Sequence, residues 1–209
     1  MQITAIESQK HHPERVNIHV DGAYRFALAA ELVFAESLHV GDEISEARIE
    51  ELETRDRVWK AREAALNLLS YRPRTAAELR RRLREKKYED DVVELTVEEL
   101  VTRGLVDDAD FAELFVRDRV RFRPRGQRRL VQELRTKGVD VETAQAAVEE
   151  VMEREGTSEL ELAREAASKW SPRAGEEPLR ARRRLFGFLA RRGFSGETAR
   201  QIMEEVLPD

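Results

Sequence analysis

Leucines recur along the chain in pairs four residues apart: Leu79 with Leu83, Leu130 with Leu134, and Leu185 with Leu189. A separation of four puts both side chains on one helix face, so each pair predicts an amphipathic helix turned toward a core. The second pair follows the first by 51 residues and the third follows the second by 55. In the same register, "VEEL" at 97–100 falls on "VEEV" at 148–151 and "MEEV" at 203–206. The pattern predicts a unit of about 50 residues present three times over roughly 57–207, each copy holding a helix A, a helix B with the leucine pair and a helix C with the acidic pair. Residues 1–50 differ in kind: "ITAIESQ", "RVNIHVDG" and "AYRFALA" are β-branched or alternating, and Asp21-Gly22 is a strong hairpin turn. "LHVGDEI" is a candidate for a further short strand, and an acidic helix from about Ser45 to Arg57 is expected to lead into the repeats.

The boundary between helices A and B carries its own signature. "YRPR" at 71–74, "FRPR" at 122–125 and "WSPR" at 170–173 each read aromatic, any residue, proline, arginine. Thirteen aromatics, with proline at 6/209 and a base at 37/209, would give about 0.07 such tetrapeptides by chance. The proline biases the residue before it away from helical geometry and ends helix A, and the aromatic upstream (Tyr71, Phe122, Trp170) is expected to pack into the unit's core. Thr75 and Glu78 predict a capping box for the first helix B, Gly126 a cap for the second, and Pro178 a first-turn start for the third. Gly138 and Gly193 predict left-handed stops, whereas Lys87 occupies that place in the first copy, where a looser or different junction is expected. The fold class is therefore mainly α: three tandem, helix-turn-helix-like three-helix repeats in an elongated, curved rod, behind a small β-containing N-terminal segment. The chain divides as 1–50, 51–107, 108–156 and 157–209.

Composition narrows the chemistry. The chain has no cysteine, which removes disulfides, thiolate metal sites and cysteine nucleophiles. No stretch approaches the roughly 18 apolar residues of a membrane span, and "MQITAIESQK" lacks the apolar centre of a signal peptide, so a cytoplasmic protein is expected. No glycine-rich phosphate loop or convincing metal constellation is present, and an acid pair recurring in every repeat is a solvated face rather than a catalytic dyad. The expectation is a non-enzymatic monomer without cofactor or metal.

The net charge of −5 conceals segregation. The segments 72–87, 117–129 and 180–192 each carry +6, while 89–99 holds six acids and no base. Solvated faces normally mix signs, so three like-signed blocks at matching positions point to nucleic acid or an acidic partner. The candidate contact residues are Arg72, Arg74, Arg80, Arg81, Arg82 and Arg84 in the first copy. The second copy supplies Arg121, Arg123, Arg125, Arg128, Arg129 and Arg135, and the third Arg182, Arg183, Arg184, Arg191 and Arg192. The motif arginines, Arg74 and Arg125 among them, stay open between helix capping or bridging and binding.

"ALNLLSYRPRTAAELRRRLREKKY", "GLVDDADFAELFVRDRVRFRPRGQRRLVQELRTKGVD" and "LFGFLARRGFSGETARQIMEEV" resemble the bacterial RecX family of recombination regulators over about 60–207, and the β segment is similar to that family's variable lead-in. "EKKY" departs from it where the family often has glycine. The resemblance implies tandem three-helix repeats that bind the RecA filament on single-stranded DNA and restrain strand exchange, ATP hydrolysis and repressor cleavage. Single-stranded DNA is thus an expected partner, with double-stranded DNA left open and no membrane. Two other classes remain open from the residues alone: a sequence-specific duplex-binding regulator, which base readout would favour with Asn, Gln and Ser rather than arginine, and a helical scaffold for acidic proteins.

Overall fold

The computed structural model describes residues 1–207 and divides into two compact units, one of Met1–Arg72 with Leu79–Leu105, the other of Pro73–Glu78 with the chain from Val106 onward.

In the first unit, β1 (Ile3–Ser8), β2 (Arg15–Val20) and β3 (Ala23–Ala29) form an antiparallel sheet in that order. Alternation in β2 buries Val16, Ile18 and Val20 on one face, where they meet Phe26 and Leu28. The β2–β3 hairpin turns at Asp21 (φ 51°) and Gly22 (φ 85°), the pair of positive angles that a tight turn matched to strand twist requires. A short helix that the alternation did not announce, α1 (Ala30–Ala35), follows directly on β3. "LHVGDEI" forms no strand beyond a single bridge between Gln2 and Glu43. Its residues turn at Gly41 (φ 101°), Ile44 enters the sheet core, and Ser45 already accepts Arg48 N as the next helix cap, so no length is left for a strand.

The acidic linker helix does not stop near Arg57. From Glu46 to Tyr71 no glycine or proline interrupts the chain, and linker and helix A merge into the 26-residue α2 (Glu46–Tyr71). It ends at Arg72, extended at φ −169° and ψ 157° before Pro73. Buried in its middle, Asp56 accepts from both terminal guanidinium nitrogens of Arg15 (3.1 and 2.9 Å), from Ala29 N (2.9 Å) and from Lys60 Nζ (2.8 Å), tying α2 to the sheet. α3 (Ala76–Glu85) and α4 (Asp90–Thr102) follow, with Leu79 and Leu83 fully buried as their spacing predicts.

The second unit holds α5 (Asp108–Phe122), α6 (Gln127–Thr136), α7 (Val141–Arg154), α8 (Glu159–Ser168), α9 (Pro178–Arg191) and α10 (Gly196–Val206). Asp107, Asp140, Ser158 and Ser195 cap four of these through their side chains, and Pro178 occupies the first turn of α9. Leu130, Leu134, Leu185 and Leu189 are fully buried in one core with Val116, Val148 and Ile202.

Helix B starts are docked on helix B ends. Thr75 accepts Glu78 N (3.1 Å), the hydroxyl half of a capping box, while its own hydroxyl donates to Lys137 O (2.6 Å) at the end of α6. One repeat later Gly126 N donates to Arg192 O (3.0 Å) at the end of α9. The contact is so close that a Cβ on Gly126 would lie 2.1 Å from Gly193 O, one on Gly138 2.2 Å from Ala77 Cβ, and one on Gly193 2.3 Å from Arg129 Cβ. Gly138 and Gly193 are therefore glycine twice over, for space and for their positive φ.

Lys87 corrects the expected looser junction. It takes the same left-handed angle (φ 70°), and Tyr88 N reaches Leu83 O (3.3 Å) just as Val139 N reaches Leu134 O and Phe194 N reaches Leu189 O (3.2 and 3.3 Å). Lys87 is exposed, so no close approach excludes its side chain and only the backbone angle opposes it. Lys87→Gly should accordingly raise stability by about 1 kcal/mol by relieving the left-handed residue; a chemical melt showing no gain would refute that strain.

The aromatic of the repeated tetrapeptide is not a shared core residue. Tyr71 is 77% and Phe122 70% exposed. Only Trp170 is partly covered, packed on the core with the Arg184 guanidinium 4.5 Å over its ring. The reason is angular: Val116 and Val120 set the buried stripe of α5, and Phe122, two residues beyond Val120, lies on the opposite side of the helix. Pro124, not the aromatic, is buried at this joint.

Candidate nucleic-acid interface

With the leucines of each B helix turned inward, its arginines are sent outward, and the ion pairs decide which of them keep charge to spare. In the first copy the block is answered locally. Arg80 donates to Glu94 (2.6 Å), Arg84 to Asp90 and Glu94 (2.6 and 2.8 Å), and Arg82 to Glu85 (2.6 Å), with Arg81 at 3.8 Å from the same Glu85. The hydrogen bond to Asp90 is the main cause raising the Arg84 pKa. Arg74 is nearly buried and bridges to Glu78 (3.0 Å) on its own helix B, and Arg72 is exposed at the end of α2.

In the second copy one carboxylate serves three cations. Glu133 takes Arg129 (2.9 Å), Arg119 (3.3 Å) and, more distantly, Arg125 (3.9 Å). Arg121 makes a two-pronged pair with Glu155 (3.0 and 2.9 Å), and that hydrogen bond chiefly lowers the Glu155 pKa. Arg123, Arg128 and Arg135 are exposed and have no carboxylate in salt-bridge range among the described residues. In the third copy Arg184 holds Glu176 (3.0 and 2.9 Å) and Arg182 is half-buried. Arg183, Arg191 and Arg192 have no such partner among the described residues. Uncompensated arginine thus concentrates in the second and third copies, although the three blocks are equally basic in sequence.

Two concavities of the second unit collect these side chains. Arg128 and Arg135, seven residues apart on α6, line a cleft against α7 with Val131, Val141, Gln145 and one acid, Glu149. A smaller pocket of about 190 Å³ is lined by Phe122, Arg123, Pro124, Arg125, Ala166, Lys169 and Arg192, with no acid among them. Burial foremost, then the charges of Arg125 and Arg191, lowers the Arg192 pKa. The Arg192 guanidinium lies 3.7 Å over the Phe188 ring, a contact that partly offsets its desolvation. Sequence reading missed Lys169, which lies in no basic block and whose one signal is its place beside Trp170. It also assigned Phe122 to the core.

Protein-family profiles match in the order of these elements. The regulatory protein RecX N-terminal domain covers residues 1–45, and the first, second and third RecX three-helix domains cover 61–100, 107–148 and 157–203. The chain belongs to the RecX family of regulatory proteins. Among curated relatives, "Regulatory protein RecX" of Amycolatopsis mediterranei is 41% identical over 75% of this chain and 89% of its own length, and that of Listeria innocua is 31% identical over 99% and 76%. A solved structure described as regulatory protein RecX shares 28% identity with a TM-score of 0.80 across 97% of this chain and 98% of its own. RecX from Lactobacillus salivarius shares 25% identity with a TM-score of 0.58 across 73% and 97%. The RecX fold, mostly helical with a small N-terminal sheet and three three-helix domains, is therefore the fold of this chain.

Proposed function

We propose that this chain binds the RecA recombinase filament on single-stranded DNA and restrains its strand exchange, ATP hydrolysis and coprotease activity without catalysing a reaction of its own, as part of DNA repair and the SOS response. The observation that carries the reading is the set of uncompensated arginines in the second and third copies of a RecX-family chain. Cationic side chains left without internal partners retain their full attraction for phosphate, and an arginine fork matches its geometry. The acidic helices C, exemplified by the exposed Glu98 on α4, supply the complementary charge for a basic protein surface. No helix among the described residues is long and apolar enough to cross a membrane, which suits a partner that works on DNA in the cytoplasm. The chain acts as a monomer in this reading, and its interface is made of the repeats at 108–156 and 157–209, with Arg80 and Arg84 of the first copy engaged internally.

Arg128→Glu with Arg135→Glu tests where that interface lies. Both side chains are exposed and hold no carboxylate among the described residues, so the fold should tolerate the change, while affinity for RecA-coated single strand should fall at least about tenfold. The slope of log affinity against log salt should also shrink by about 1.4, two phosphate contacts at about 0.7 each. Unchanged affinity and slope would remove the α6–α7 cleft from the interface.

A further inference from the structure

We infer that the pocket beside Phe122 is a single-strand reading site, in which a backbone phosphate sits among Arg123, Arg125, Lys169 and Arg192 while the neighbouring unstacked base lies on the Phe122 ring. The inference deepens the nucleic-acid reading above by naming what this part of the chain touches: the strand itself. Its lining carries four cations and no acid. The nearest carboxylates act from outside it, with Glu165 Oε1 3.5 Å from Lys169 Nζ and Glu133 Oε1 3.9 Å from Arg125 Nε.

The fold holds this like-charged group together at a cost. Gly126 N binds Arg192 O (3.0 Å), and the lack of space for any Cβ at Gly126 or Gly193 locks the end of α9 onto the start of α6. Arg125 and Arg192 flank that lock and cannot drift apart. Lys169 and Arg125 each have one carboxylate at the pocket's edge, but Arg123 and Arg192 have none in salt-bridge range among the described residues, so an anion in the pocket relieves the group. A volume of about 190 Å³ falls below the roughly 300 Å³ at which pockets begin to enclose whole small molecules. It suits one phosphodiester group of a longer ligand.

Phe122 decides which polyanion. It is 70% exposed at the last position of α5, and among the described residues no ring or cation stacks on it. A bare phenyl ring at the mouth of a phosphate pocket offers a platform to any base with a free face. Bases in a duplex are already stacked on one another, so the pair of features favours a single strand. An acidic protein would use the cations and leave the ring idle.

The test is fluorescence anisotropy with the full chain and three probes: an oligothymidylate, an abasic deoxyribose-phosphate strand of equal length, and a duplex of equal length. The wild type should bind oligothymidylate tightest. Phe122→Ala and Phe122→Leu, both conservative for a surface ring, should each weaken that binding about fivefold or more and leave the abasic strand unaffected. Arg123→Gln with Lys169→Gln should weaken oligothymidylate and abasic strand alike. Equal binding of oligothymidylate and abasic strand by the wild type, or of oligothymidylate by wild type and Phe122→Ala, overturns the site. RecA-dependent ATP hydrolysis measured beside these titrations separates the two readings. Inhibition by a chain whose Phe122 is indifferent sinks the pocket alone, and a functioning pocket in a chain without effect on RecA sinks the RecA reading alone.

Discussion

Gly193→Ala should lower the stability of the second unit by about 2 to 5 kcal/mol, since a left-handed residue with a side chain costs about 1–2 kcal/mol and forced overpacking about 1–3 kcal/mol. Gly193 sits at φ 83°, and its new Cβ would stand 2.3 Å from Arg129 Cβ and 2.6 Å from Arg129 N, where backbone must move to make room. Gly126→Ala should be of comparable severity for a different reason: its φ of −69° is ordinary, but the Cβ would meet Gly193 O at 2.1 Å. Gly196→Ala is the control. It lies at the first position of α10 with nothing within 4 Å of the added carbon, so its change should stay within about 0.5 kcal/mol of zero. Chemical denaturation of the three variants checks the ranking, and a Gly193→Ala chain as stable as Gly196→Ala would show that the start of α6 and the end of α9 are not in close contact. Because Arg192 is placed by the same lock, Gly193→Ala should also weaken oligothymidylate binding in whatever fraction remains folded.

Asp56→Ala should cost the first unit about 3–5 kcal/mol, the usual penalty for removing one partner of a buried charge pair and stranding the other. The Arg15 guanidinium is mostly buried, and without the carboxylate its two hydrogen bonds of 3.1 and 2.9 Å vanish, along with the acceptor for Ala29 N. Burial opposes ionisation of Asp56, but the hydrogen bonds and charges of Arg15 and Lys60 outweigh it and bring its pKa below the ordinary value. A carboxylate with a depressed folded pKa contributes stability that is present above its unfolded pKa, about 3.9, and is lost as pH falls through the lower folded value. The stability gap between wild type and Asp56→Ala should hence be constant from pH 7 to about 5 and narrow below about 4. A gap that widens on acidification would reverse the sign of this account.

How much of this was legible beforehand depends on the range of the interaction. The leucine pairs, the Asp21-Gly22 hairpin, Pro178 and the glycine stops are local signals, and each leads to the element it predicts. The length of α2 is masked by composition: an acidic segment followed by an apolar one suggests two elements, although no breaker separates them. The exposure of Phe122 and Tyr71 is not visible in the tetrapeptide itself; for Phe122 it follows from the angle to the buried stripe of helix A. The candidate site was legible as three basic blocks but not as a difference between them. That difference rests on which carboxylates the fold turns toward each block, as Glu94 on α4 toward Arg80 and Arg84, and Glu155 beyond α7 toward Arg121. The sense of Lys87 likewise needed the structure: glycine is demanded at 138 and 193 by neighbours 61 and 64 residues away, Ala77 and Arg129, while the exposed Lys87 answers only to its own backbone.

The proposed regulation of a recombinase filament is tested most directly by one titration. RecA assembled on single-stranded DNA hydrolyses ATP at a steady rate, and the full chain is added up to near-stoichiometric amounts. The expected result is a graded fall in that rate, shallower for the chain carrying Arg128→Glu and Arg135→Glu. A rate unchanged by the wild-type chain, with strand exchange equally unaffected, would contradict the proposal.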